Sequence, residues 1–150
     1  MRHLMPAGLI AAALFALPVA AIAQNASPVG AWKTIDDKTG KPKALVRITE
    51  EGGVLTGKIE KLYRDPSEDQ NPKCVKCTDA RKDQPMIGMT ILSGLKKDGN
   101  EYTGGEILDP AAGKTYKSKA SLADNGSKLE VRGYIGAPMF GRTQTWQREQ

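Results

Sequence analysis

Histidine is almost missing from this chain: its one copy, His3, lies at the extreme N-terminus. Cysteine is nearly as scarce, with Cys74 and Cys77 the only two, and aromatic residues make up 5% of the sequence. After residue 24 no apolar run approaches the roughly 20 residues a membrane span requires. Each shortage removes a class of function. Two cysteines cannot close a four-thiolate zinc site. Without histidine there is no His-based zinc site, no CxxCH haem attachment and no Ser-His-Asp or Cys-His mechanism. Carboxylate, tyrosine and lysine chemistry stay open, so the composition weighs against an enzyme without excluding one. No cofactor and no metal are expected.

His3 itself is expected to be lost. Met1-Arg2-His3 is a short positive head, Leu4 to Ala20 is an apolar run rich in Ala and Leu, and Pro18 breaks it near its end. Ala21-Ile22-Ala23 then supplies the small-x-small pattern that signal peptidase reads. The reading is a signal peptide over residues 1–23, cleaved before Gln24, and a single domain over 24–150. An uncleaved anchor is the alternative, because Leu4–Ala23 is nearly long enough to span; Pro18 and the cleavage pattern favour removal. No cysteine follows the cleavage point to carry a lipid. The expected location is periplasmic or secreted, with no stable membrane insertion after cleavage. Losing Arg2 takes the net charge from +5 to +4. The cations are spread along the chain rather than clustered among stacking aromatics, so no nucleic-acid partner is expected.

What remains is a succession of short segments of period two, separated by turn signals. Val29–Ile35 comes first, then the polar loop Asp36–Pro42. Ala44–Glu50 sets Ala44, Val46 and Ile48 against Leu45, Arg47 and Thr49. Gly52-Gly53 turns it into Val54–Tyr63, a strong hairpin signal. Arg64 to Pro85 is a long loop with three prolines, both cysteines and ten charged residues. Loops of this length are uncommon unless functional or disordered. A meander follows: Ile87–Lys97, Glu101–Leu108, Thr115–Ala123, Lys128–Ile135 and Arg142–Arg148, joined by turns at Asp98-Gly99, Asp109–Gly113, Asp124–Gly126 and Gly136–Gly141. These are eight strands with no convincing helix. Sequential hairpins favour antiparallel neighbours, and closing the sheet into an up-and-down barrel removes both edges. Strand one must then pair with strand eight. A two-sheet sandwich is the alternative, and it needs longer crossing connections.

Several stretches carry a family resemblance: Gly30-Ala31-Trp32-Lys33-Thr34, Gly57-Lys58-Ile59, Cys74-Val75-Lys76-Cys77, Gly105-Glu106-Ile107-Leu108-Asp109-Pro110, Val131-Arg132-Gly133-Tyr134-Ile135-Gly136 and Phe140-Gly141-Arg142-Thr143-Gln144-Thr145-Trp146. In these the chain resembles the bacterial secreted family catalogued as domain of unknown function 2147. The resemblance implies a periplasmic or secreted, lipocalin-like β-barrel and brings no catalytic residues. Lipocalins also begin their first strand with Gly-x-Trp and set a basic residue near the end of the last. Gly30-Ala31-Trp32 fits the first feature, and Arg148 or Arg142 could lie over the indole. Gly30, Trp32 and Trp146 are therefore read as structural, with the two tryptophans plugging one end of the core.

In an oxidising compartment Cys74 and Cys77 are expected to form a structural disulfide pinning the long loop. A thiol-oxidoreductase site would want a helix N-terminus, which the pattern lacks. Glycines inside the strands are read either as barrel corners or as small inward residues leaving a cavity. Arg132, Tyr134, Arg142 and Gln144 are either a solvated outer face or an anion clamp at the barrel mouth, with Met139-Phe140 as an apolar rim. The candidate ligand-binding set is Tyr116, Arg132, Tyr134, Met139, Phe140 and Arg142. The function expected is binding of a small amphipathic or apolar molecule without catalysis. A protein-interaction module, such as an inhibitor or accessory factor of a cell-envelope enzyme, is the first alternative. A small histidine-independent enzyme is the second.

Overall fold

A computed structural model of the chain describes residue 8, residues 10–16 and residues 27–150. The expected cleavage point after Ala23, and most of the expected signal peptide, lie outside the described residues. Residues 10–16 form no helix or strand and expose Ile10, Leu14 and Phe15 to solvent. Among the described residues no helix is long and apolar enough to cross a membrane.

Eight strands follow: β1 (Gly30–Ile35), β2 (Pro42–Glu51), β3 (Val54–Leu62), β4 (Thr90–Asp98), β5 (Glu101–Asp109), β6 (Lys114–Ala123), β7 (Lys128–Tyr134) and β8 (Gly141–Arg148). Each pairs antiparallel with its neighbour in the chain, and the ring closes into a barrel. The closing ladder joins Trp32 to Arg148 and Lys33 to Gln147. The alternation predicts the pleat correctly: Ala44, Val46 and Ile48 are buried while Arg47 and Thr49 are exposed. On β3 the same holds for Leu55, Gly57 and Ile59 against Lys58 and Glu60. Several strand ends differ from the expected bounds by one or two residues, and one differs by three. Strand β4 starts at Thr90 rather than Ile87, because Met86–Met89 is a turn, with Met89 N–H donating to Met86 O (3.1 Å) and Gly88 at a φ of 88°. The apolar Ile87 resembles a strand residue in sequence, but it sits on that turn and is exposed.

A closed barrel must bend its strands. Gly94 on β4 and Gly104 on β5 both have φ near +75°, in the left-handed region that side chains disfavour. They face each other: a Cβ on Gly94 would lie 3.4 Å from Gly104 O. The irregularity at Gly94 brings Leu92 and Leu95 both into the core.

The two ends of the barrel are different. One is closed and filled. Trp32 is fully buried there, its Nε1–H donating to Pro28 O (2.7 Å). Arg148 donates from Nε to Gly126 O (2.7 Å), from Nη1 to Val29 O (3.0 Å) and from Nη2 to Ser27 O (2.6 Å). Gly30 lets this guanidinium in, since a Cβ there would stand 2.9 Å from Arg148 Nη1. The long loop between β3 and β4 is folded against the wall near the other end. Cys74 and Cys77 form a disulfide and are both buried. Cys74 N–H donates to Gln84 O (2.8 Å) and Met86 N–H to Pro72 O (2.9 Å). The backbone of Lys76 lies so close to Gly113, in the β5–β6 turn, that no side chain fits at Gly113. Arg81 donates to Thr90 O (2.9 Å), tying the loop to the start of β4.

Candidate functional site: a cavity at the open end of the barrel

At the open end the barrel is hollow. A cavity of about 700 Å³ opens there, within the range of small-molecule sites. Its walls are apolar side chains from successive strands, among them Ile59 and Leu62 of β3, Ile91 of β4, Ile107 of β5 and Val131 of β7. Trp146 of β8 also contributes. Polar groups from Thr34, Tyr63, Tyr116, Tyr134 and Gln144 share the walls with them. Charge is confined to side chains around the mouth: Lys43, Arg64 and Arg142 with Glu68 and Asp109.

A glycine of β7 lines the cavity. Gly133 on β7 is paired with Ser118 and with Arg142. A Cβ on it would approach Ile107 Cγ2 (3.3 Å) and Tyr116 Cβ (3.5 Å). The wall is therefore close-packed at this position, Gly133 letting β7 lie directly against Ile107 and Tyr116. The interior is thus filled by Trp32, Ile48, Leu55, Leu95 and Leu129 toward one end and empty toward the other.

Register decides which sequence candidates reach this space. Residues directly opposite on an antiparallel pair share a face. Arg142 is opposite Gly133 and Gln144 opposite Val131, so both belong to the inner face. Arg132 is opposite Thr143 and belongs to the outer one. There its Nε donates to Pro138 O (2.6 Å) and its Nη1 to Thr143 Oγ1 (3.0 Å). Arg132 therefore braces the β7–β8 hairpin and does not line the cavity. Met139 at the hairpin tip is exposed and does not line it either. Tyr116 and Arg142 do, and so does Phe140, a rim residue that is 67% exposed. Tyr134, which register places on the outer face with Arg132, borders the cavity at the end of β7.

Gln144, weighed with Arg142 as part of an anion clamp, borders the cavity, and so do Lys43, Arg64 and Met86, which the sequence did not single out. Lys43 sits where the β1–β2 register shifts, and Arg64 and Met86 lie in the long loop, so no period announces them.

The charged groups at the mouth are largely engaged. Arg142 Nη1 pairs with Asp37 Oδ2 at 3.1 Å, and Arg64 pairs with Glu68 at 3.7 Å. Asp109 Oδ1 accepts the N–H groups of Ala111 and Ala112 (3.1 and 3.4 Å). Among the described residues the buried Ser118 Oγ and Trp146 Nε1 have no hydrogen-bond partner. Among the described residues no three His, Cys, Asp or Glu side chains are placed to hold a metal ion.

A family model described as "Uncharacterized protein conserved in bacteria (DUF2147)" matches residues 30–148. The chain belongs to that family. The match runs from Gly30, at the start of β1, to Arg148, at the end of β8, and so takes in the whole DUF2147 barrel. Among solved structures, this DUF2147 barrel is similar to a protein described as "Protein HP1028 from the human pathogen Helicobacter pylori belongs to the lipocalin family". The TM-score is 0.69 at 23% identity, covering 83% of this chain and 84% of that one. The likeness establishes a lipocalin-like barrel fold for this DUF2147 member. The comparison with curated proteins gives no match.

Proposed function

We propose that this DUF2147 protein is exported and binds a small amphipathic or apolar molecule in the open-end cavity, without catalysis. The observation that carries the reading is the cavity itself: one hollow of mixed apolar and polar lining, charge only near the mouth, and an otherwise packed barrel. The enzymatic alternative needs a free carboxylate pair or an activated nucleophile. Glu68 is taken by Arg64 and Asp109 by its own turn, which argues against it.

Export rests on the N-terminal pattern of residues 1–23 and is supported by the Cys74–Cys77 disulfide, a bond that persists in oxidising compartments. The test is native mass spectrometry of protein purified from the periplasm of its own cell. The expected result is a chain beginning at Gln24 with a non-covalent small-molecule adduct. A chain retaining residues 1–23 would overturn export. Failure of any apolar probe to enter the cavity would overturn ligand binding.

A protein partner is the second reading. It is favoured by the exposed Ile135, Met139 and Phe140, which form an apolar tip on the β7–β8 hairpin. Co-purification of a stoichiometric envelope protein with an empty cavity would support it.

A further inference from the structure

The ion pair between Arg142 and Asp37 is the only contact of its kind joining the β1–β2 loop to β8 among the described residues, and it stands at the cavity mouth. Asp37 is held from behind. Its loop is closed by Asp36 N–H donating to Lys41 O and Gly40 N–H to Asp36 O, both 2.8 Å. The Asp36 carboxylate is spent on the N–H groups of Lys38 and Thr39 (2.8 and 2.9 Å). Asp37 is thus free to reach Arg142, and both side chains remain open to water, at 49% and 68% exposure.

Of the three cations bordering the cavity, Arg64 already has Glu68. Lys43 makes no ion pair among the described residues. Arg142 has only Asp37, which itself does not line the cavity. Behind these two cations the walls turn apolar, through Ile107 and Val131. A guanidinium fork matches a carboxylate or phosphate in two-pronged geometry. Its present partner is a solvated carboxylate that returns to water at little cost.

Resting on the ligand-binding reading, we propose that the ligand is a single-chain amphiphile with an anionic oxygen head, a carboxylate or a phosphate monoester. Its head displaces Asp37 from Arg142 and approaches Lys43, while its chain fills the apolar cavity. Asp37 is then a built-in competitor, occupying the head-group position in the ligand-free protein.

This gives two variants opposite signs. The experiment measures binding of dodecanoate, dodecyl phosphate and dodecyl alcohol by displacement of Nile red, a neutral dye, from the full mature protein. Removing the competitor in Asp37→Asn should tighten dodecanoate by about two- to threefold, and Arg142→Gln should weaken it by about three- to fivefold, the scale of an exposed ion pair. Dodecyl alcohol should respond to neither. The preference for anions should shrink in about 0.5 M salt, where exposed charges are screened. Dodecyl phosphate against dodecanoate separates the two head groups, the tighter naming the class. Arg142→Lys keeps the charge and should retain part of the anion preference, which guards against a mere folding defect in Arg142→Gln. If Asp37→Asn weakens dodecanoate, or if alcohol and acid bind alike in all variants, the anionic-head inference is overturned while cavity binding stands. If Nile red itself does not bind, both readings fall together.

Discussion

The guanidinium of Arg148 lies over the Trp32 ring, 4.3 Å from its centroid. These two residues are also directly paired across the closing ladder. The arginine therefore covers the indole, ties down three backbone carbonyls and closes the ring of strands in one place. Burial holds the Arg148 pKa below its usual value, the direction expected when a cation loses solvent.

Truncating this centre should be severe. Trp32→Ala removes a fully buried indole and is expected to cost roughly 3–5 kcal/mol, a large share of a small domain's stability. Urea or thermal unfolding checks it, and an unchanged midpoint would falsify the assignment of Trp32 to the closed end. Trp32→Phe should keep both fold and cavity binding, because the cavity lies at the other end and Trp32 does not line it.

Filling the hollow should separate binding from folding. Gly133→Leu sends a side chain between Ile107 and Tyr116. Overpacking of this kind costs about 1–3 kcal/mol, while Nile red affinity should fall by about tenfold or more. A folded Gly133→Leu protein that binds the dye as well as the parent does would rule out this cavity as the site.

The disulfide should act locally. Replacing both Cys74 and Cys77 by Ser opens a very short loop and is expected to cost on the order of 1–3 kcal/mol. Amide exchange should accelerate over residues 72–89 and stay slow in the barrel strands. Efficient insulin reduction by the parent protein, abolished in the double variant, would show instead that the pair is a redox centre.

Acid should loosen the same loop at a defined point. The Asp79 carboxyl is lowered from 3.8 to about 2, first by the Arg81 side chain and then by the Arg81 N–H. A depressed carboxyl stabilises the fold above its unfolded value and loses that contribution as pH falls through its folded one. The window is therefore from about 4 down to about 2. Because Asp79 orients Arg81, which in turn holds Thr90 O, exchange at the start of β4 should rise in that window. Asp79→Asn should show no such step.

Much of this fold is legible in the residues. Ala44-Val46-Ile48 and Leu55-Gly57-Ile59 alternate about a Gly-Gly turn, so the hairpin follows from pleat alone. Gly30-Ala31-Trp32 at the start of a meander pointed to closure against the last strand. The candidate site was less legible because it depends on a register that sequence does not fix. A shift of one residue in the β7–β8 hairpin would put Arg132 on the same face as Arg142 and Gln144. The observed pairing of Gly133 with Arg142 settles the matter, and Arg132 goes outside with Thr143. Lys43, Arg64 and Met86 come from a register shift and a long loop, where position is set by tertiary contacts such as Met86 N–H with Pro72 O.

The ladder between Trp32 and Arg148 differs from the other seven in one respect. All the others join strands that follow each other in the chain, whereas this one spans nearly the whole domain. Local hairpins form quickly and distant pairings slowly, because the connecting chain must be restrained first. The barrel is therefore expected to assemble as a growing curled sheet and to close along the β1–β8 seam last. Until then β1 and β8 are bare edges, each able to pair with another molecule's edge. A variant that weakens the seam, such as one lacking the Arg148 side chain, should accordingly reveal itself first as self-association during refolding, increasing with protein concentration, before it appears as a loss of the native barrel.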